Sequence, residues 1–216
     1  MRSFPLAALL LSAAFPAVAE DAPIPPLSDA QLAVVKAFAL AELEALHADE
    51  GMIYAIEEQN GMHARMTPRK IKALDRRWQA GDSHSLIATE LMGRQESYFL
   101  HERREKSDGI VTEFIVMDRF GLNVAISDYT PDYWQGDEPM FQQTFPNGAG
   151  ALHVSAPNRD DAAHRVQVEV SVTITSPSTG QPIGALTVGI DVEHALEKAG
   201  KGLIGEAEGA AKPDPA

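Results

Sequence analysis

Apolar residues at three-, four- or seven-residue steps mark the first third of the chain. Leu32, Val35, Ala39, Leu43, Leu46, Ile53 and Ile56 fall on one stripe, which predicts a long amphipathic helix from Ser28 to about Asn60-Gly61. Ser28 and Gln31 fit a capping box at its start, and Gly51 is a weak point where a kink or break is expected. Thr67-Pro68 opens a second helix that runs through Trp78 to Gly81. A third, from near Ser83, carries Leu86, Ile87, Leu91, Met92, Tyr98 and Phe99 and closes at Asp108-Gly109. Beyond Gly109 the apolar period drops to two, the strand period. Segments 110–118 and 122–128 read as a hairpin around Arg119-Phe120-Gly121. Residues 138–145 read as a short helix and 151–156 as a third strand. Segment 165–175 alternates without a fault: Val166, Val168, Val170, Val172 and Ile174 face one way, Gln167, Glu169, Ser171, Thr173 and Thr175 the other. Segment 183–192 does the same, with Leu186, Val188, Ile190 and Val192 opposite Ala185, Thr187, Gly189 and Asp191, and a short helix is expected from about Glu193.

Helices first and five closely connected strands afterwards predict an α+β fold: long N-terminal helices packed on a five-stranded antiparallel sheet. The first twenty residues stand apart. A basic start, an apolar run from Leu6 to Phe15 and the small-residue site Ala17-Val18-Ala19 are the pattern of a signal peptide over 1–19. Residues 20–27 form a Pro-rich extended lead, 28–200 the folded domain, and 201–216 a flexible tail. The implied location is the periplasm, with no membrane insertion of the mature chain. Net charge is −13, from 18 cations and 31 acids, and argues against nucleic acid or anionic lipid as a partner. Cys is absent, which removes disulfides, thiolate metal sites and covalently attached haem. The seven histidines are scattered, and no hydrolase, phosphate-loop or dinucleotide motif occurs. Neither an enzyme nor a metal or other cofactor is indicated.

"MDRFG" with "NVAIS" (117–127), "DYW" with "GDE" (132–138) and "IGALTVGIDV" (183–192), in that order behind a long helix, resemble the Cache family of extracytoplasmic sensor domains. The resemblance covers roughly residues 28–200. It implies a PAS-like sheet with strands in the order 2-1-5-4-3 and a small-molecule pocket on that sheet; members usually sit on membrane receptors, and this chain's departure from that pattern makes signalling through a separate membrane-bound protein the expectation here. No apolar span or signalling domain follows residue 192, so the expectation is a free-standing single Cache domain.

The segment "DYTPDYWQGDE" (128–138) is too polar for a core and too aromatic for an idle connection. Folded over the polar side of the last strands, it would bring Asp128, Asp132 and Asp137 as charges and Tyr129, Tyr133 and Trp134 as walls, above Ser171 and Asp191. Carboxylates with aromatic faces suit a cation. Arg119, Arg159 and Arg165 are the few basic groups of the strand region, which favours an amine, a zwitterionic amino acid or a neutral ligand over a dicarboxylate. The plainer reading makes Trp134 a strut and Asp128 and Asp132 turn residues; the protein is then a structural or interaction module with a degenerate pocket. Asp118 reads first as a turn device, and Arg94 and Tyr98 as either pocket or surface residues.

Overall fold

The computed structural model describes residues 24–81, 85–160 and 165–200. The expected signal peptide, the first part of the lead, the start at Ser83 and the tail lie outside the described residues. The first stripe forms two helices, α1 (Asp29–His47) and α2 (Glu50–Met62). Ser28 and Gln31 close the expected capping box. The break comes at Ala48-Asp49, just before Gly51, because Asp49 turns its carboxylate onto the Met52 amide and starts a new helix. Thr67 caps α3 (Pro68–Gln79). The expected third helix is likewise two, α4 (Leu86–Met92) and α5 (Gln95–Glu105), parted where Arg94 becomes extended at φ −69°, ψ 148°.

The strands are β1 (Val111–Asp118), β2 (Asn123–Ile126), β3 (Leu152–Val154), β4 (Asn158–Asp160), β5 (Arg165–Thr175) and β6 (Pro182–Asp191). The short helix α6 (Pro139–Gln142) and a 3-10 turn (Phe145–Asn147) precede β3, and a final helix, α7, occupies 192–200. All pairs are antiparallel, in the order β2-β1-β6-β5-β3, with β4 also on β5. The expected count of five is corrected to six. The extra strand, Asn158-Arg159-Asp160, is all polar and carries no alternation; only its pairing with β5 makes it a strand. With β4 set aside, the order is the PAS-like one, 2-1-5-4-3.

The sheet is greasy on both sides. On one side Val168, Val170, Leu186, Val188 and Ile190 meet Val35, Ala39, Leu43 and Leu46 of α1 in the main core. On the other, Ile115, Met117 and Ala185 pack with Ile71 and Trp78 of α3, Leu91 of α4 and Tyr133 in a second core. Asp118, fully buried, ties the layers together. Its Oδ1 accepts the Phe120 and Leu122 amides of the hairpin turn, while Oδ2 accepts the Gln59 amide and lies 2.6 Å from His63 Nδ1. Arg94 donates to Gln59 Oε1 and the Val124 carbonyl, both at 2.8 Å, so it braces this network. Tyr98 is exposed on α5.

Gly184, opposite Asp118 in the register, admits close contact between α2 and the sheet. A Cβ there would lie 2.1 Å from the Met117 carbonyl oxygen and 3.1 Å from Ile56 Cγ2. Backbone cannot yield as a side-chain tip can, so Gly184→Ala is expected to destabilise by about 1–3 kcal/mol. Thermal melting of the purified variant checks this; an unchanged midpoint would refute the packing argument.

Candidate functional site

The segment 128–138 does fold over the sheet, and a cavity of about 560 Å³ lies beneath it. Its floor comes from neighbouring strands. Glu113 of β1 and Glu169 of β5 each pair in register with Gly189 of β6, so the two carboxylates flank a residue without a side chain. A Cβ at Gly189 would sit 2.2 Å from Thr112 Oγ1 and 3.2 Å from Gln167 Oε1. Its absence opens the space into which these groups reach. The Gln167 amide donates to Glu113 Oε1 at 3.1 Å and to Glu169 Oε1 at 3.4 Å; Asn158 also donates to Glu169, at 3.2 Å. Thr112 Oγ1, on the same floor, is buried without a hydrogen-bond partner.

The roof is Asp128, Tyr129, Thr130, Pro131 and Asp132, with Gln135, Glu138 and Met140 completing the wall. Five carboxylates (Glu113, Asp128, Asp132, Glu138 and Glu169) therefore line the cavity against one guanidinium, Arg159. Arg104 approaches Asp128 to 2.6 Å from α5, and Gln79 hydrogen-bonds Asp132 from α3. Burial and the negative charges of Asp137, Asp132 and Glu169 together raise the Glu138 carboxyl above its usual range. A smaller cavity of about 340 Å³ continues past Glu138, Met140 and Glu169 toward His153.

Helix α3 holds the roof. The Trp78 indole stacks on Tyr129, with ring centres 4.8 Å apart and planes at 8°, and on Tyr133 at 5.5 Å. Its Nε1 donates to the Thr130 carbonyl at 2.7 Å. One turn earlier, Asp75 Oδ1 accepts the amides of Tyr133 and Trp134, each at 3.1 Å. Burial raises the Asp75 carboxyl, and those two hydrogen bonds oppose the shift. From below, Asn123 donates to Thr130 Oγ1 and the Asp132 carbonyl. The roof is thus fixed from two sides by ordinary hydrogen bonds.

Of the eight residues nominated from sequence, Asp128, Tyr129 and Asp132 line the cavity; the other five are placed elsewhere. Tyr133 is buried in the second core, where desolvation pushes its hydroxyl up to about 12. Trp134 is a strut: its Nε1 donates to the Phe120 carbonyl at 2.8 Å, and its backbone bridges Leu122. Gly121, at φ +78°, passes so near Gly136 that a Cβ would fall 2.6 Å from the Gly136 Cα, and this brings the segment back to the hairpin. Asp137 is exposed and acts on the site only through its charge. Ser171 is sealed, hydrogen-bonded to Thr187 at 2.9 Å, because α6 and the 3-10 turn pack across β5 and β6 there. Asp191 caps α7, accepting the His194 amide at 3.0 Å. Glu113, Glu138, Gln167 and Glu169 are among the lining residues the nomination missed. Glu113 is the one charged residue between Val111 and Met117, which is the signal it offered.

Among the described residues no group of His, Cys, Asp or Glu is arranged to hold a metal, and no helix is long and apolar enough to cross a membrane. No protein-family profile and no curated protein matches the chain. Solved structures similar to it include the sensor domain of the V. cholerae histidine kinase DctB, at 13% identity over 65% of this chain and 58% of that one, with a TM-score of 0.36. The sensory domain of the Campylobacter jejuni chemoreceptor Tlp3 gives 14% over 76% and 65%, with a TM-score of 0.38. The E. coli DcuS sensor domain gives 16% over 61% and 93%, with a TM-score of 0.35. The chain spans less than two thirds of the DctB and Tlp3 domains.

Two tests follow from this geometry. Trp78→Ala is expected to cost about 3–5 kcal/mol and to release the roof. Hydrogen exchange at residues 128–135 should then rise more than at β5 and β6; equal protection would remove α3 as the clamp. The raised Glu138 carboxyl makes the folded protein bind a proton more tightly than the unfolded chain does. Its contribution to stability is full below the ordinary value of 4.5 and is lost as pH rises through the folded value. Glu138→Gln should therefore gain stability relative to wild type as pH is raised from about 4 to 7. Melting curves across that range check the sign.

Proposed function

We propose that residues 28–200 form a periplasmic sensor domain that binds a small cationic or zwitterionic amine, amino acids included, and passes its state to a separate membrane-bound protein. The observation that carries this reading is the cavity lining: five carboxylates and the Tyr129 ring against a single guanidinium. An ammonium group placed there gains charge-assisted hydrogen bonds and the aromatic face. A dicarboxylate meets repulsion with one Arg to offset it. The floor supports binding rather than catalysis. Glu113, Gln167, Glu169 and Asn158 are bonded to one another, and among the described residues of the floor none is paired as nucleophile and base. Export is supported by the signal-peptide pattern of residues 1–19.

Calorimetric titration of residues 20–216 with amines, amino acids and dicarboxylates tests the reading. At least one amine or amino acid should bind and no dicarboxylate should. Glu169→Gln should weaken the binding about tenfold, or about 1.4 kcal/mol. Because Glu138 gains its proton at a higher pH than an ordinary carboxyl, affinity for the cation should already fall as pH drops toward that raised value. Tight binding of a dicarboxylate, or no heat with any compound, would sink the proposal.

A further inference from the structure

Helix α3 clamps the roof with its inner side, and its outer side is the most basic surface of an acidic protein. Residues 65–77 hold six cations (Arg65, Arg69, Lys70, Lys72, Arg76 and Arg77) against one acid, Asp75, a net of +5. The other 203 residues hold twelve cations and thirty acids, a net of −18. All six cations are exposed, and none has a carboxylate within ion-pair distance among the described residues. Asp75, the acid that would neutralise them, is turned inward onto the Tyr133 and Trp134 amides. At 100° per residue, Arg69, Lys72 and Arg76 fall on one flank of the outward arc and Lys70 and Arg77 on the other, with Ile71 and Trp78 buried opposite. Two apolar side chains stand in water beside this helix in sequence: Met62, 65% exposed, ends α2, and Leu86, 84% exposed, begins α4.

We propose that the outer face of α3 is a docking surface for an anionic phospholipid bilayer. Cations spread over the outward arc of a helix suit a diffuse layer of phosphates better than one partner side chain. The net charge of −13 does not oppose this. Charge interactions at water-exposed surfaces fade over about 8 Å at physiological salt, so the bilayer meets the local +5 while the acidic remainder faces away. Docking would orient the protein with α3 against the membrane. This inference is independent of what the cavity binds.

The test is co-sedimentation of residues 20–216 with vesicles of phosphatidylcholine alone and of phosphatidylcholine with about 30% phosphatidylglycerol. At about 50 mM salt, binding to the anionic vesicles should be at least about tenfold stronger, and about 0.5 M salt should abolish the difference. The variant R69Q/K72Q/R76Q/R77Q should lose it, while K36Q/K106Q/K198Q, which removes cations elsewhere, should keep it. Lys36 is half-buried and the other positions are exposed, and circular dichroism confirms folding of both variants. Three results would overturn the proposal: equal binding to both vesicle types, an equal loss in both variants, or capture by polyglutamate beads with no binding to vesicles.

Discussion

The contact on which the rest of this structure turns is that of Trp78 with the chain after β2. A single indole stacks on two tyrosines and donates its one proton to a carbonyl between them. That chain segment carries four acids, and apart from the bridge of Trp134 to Leu122 it has no regular secondary structure to order its backbone. Left to itself it would lose more entropy on folding than its few apolar groups regain. Trp78, Asp75 and Gln79 supply the missing partners from one face of one helix, and Asn123 supplies them from the sheet. The cavity exists because this roof is held at a fixed height. A roof that collapsed would leave the Glu113 and Glu169 carboxylates beneath protein atoms without solvent, a costly burial.

The floor solves the complementary problem. A sheet between two helical layers is usually apolar on both faces, and this one is so only where α3 and α4 reach it. Beyond their reach, β1, β5 and β6 present Glu113, Gln167, Glu169 and Gly189. Gly189 matters as much as the charges. Without a side chain at the centre of the row, Gln167 can lie between two glutamates and offer an amide proton to each. The two carboxylates are held apart on either side of Gly189, not forced together, and give the cavity an acidic floor.

Much of this was legible in the sequence. Period and caps located the helices, the faultless alternation of β5 and β6 fixed which residues meet α1, and "MDRFG" marked the hairpin. The failures share a cause. Alternation says which face a residue takes, but not what covers that face. Ser171 and Glu169 stand on the same side of β5, two residues apart; α6 and the 3-10 turn seal the first, while the second opens into the cavity. Tyr133 and Trp134 are adjacent aromatics, and one went to the core, the other to the hairpin, for reasons that lie in Trp78 and Phe120. Tertiary partners decided each case, and a single sequence does not display them.

Total charge likewise does not show where charge lies. An acidity of −13 describes no place on the molecule. Five acids line the cavity and six cations fall in residues 65–77, along and just before α3, the helix that clamps the roof. Asp75 links them: its carboxylate serves the roof, and by facing inward it leaves the outer arc of α3 without a carboxylate at ion-pair distance among the described residues. The roof's need for an acceptor and the segregation of charge are therefore consequences of one side-chain orientation. Helix α3 thus carries both features, the roof contacts of Asp75 and Trp78 on one side and exposed cations on the other.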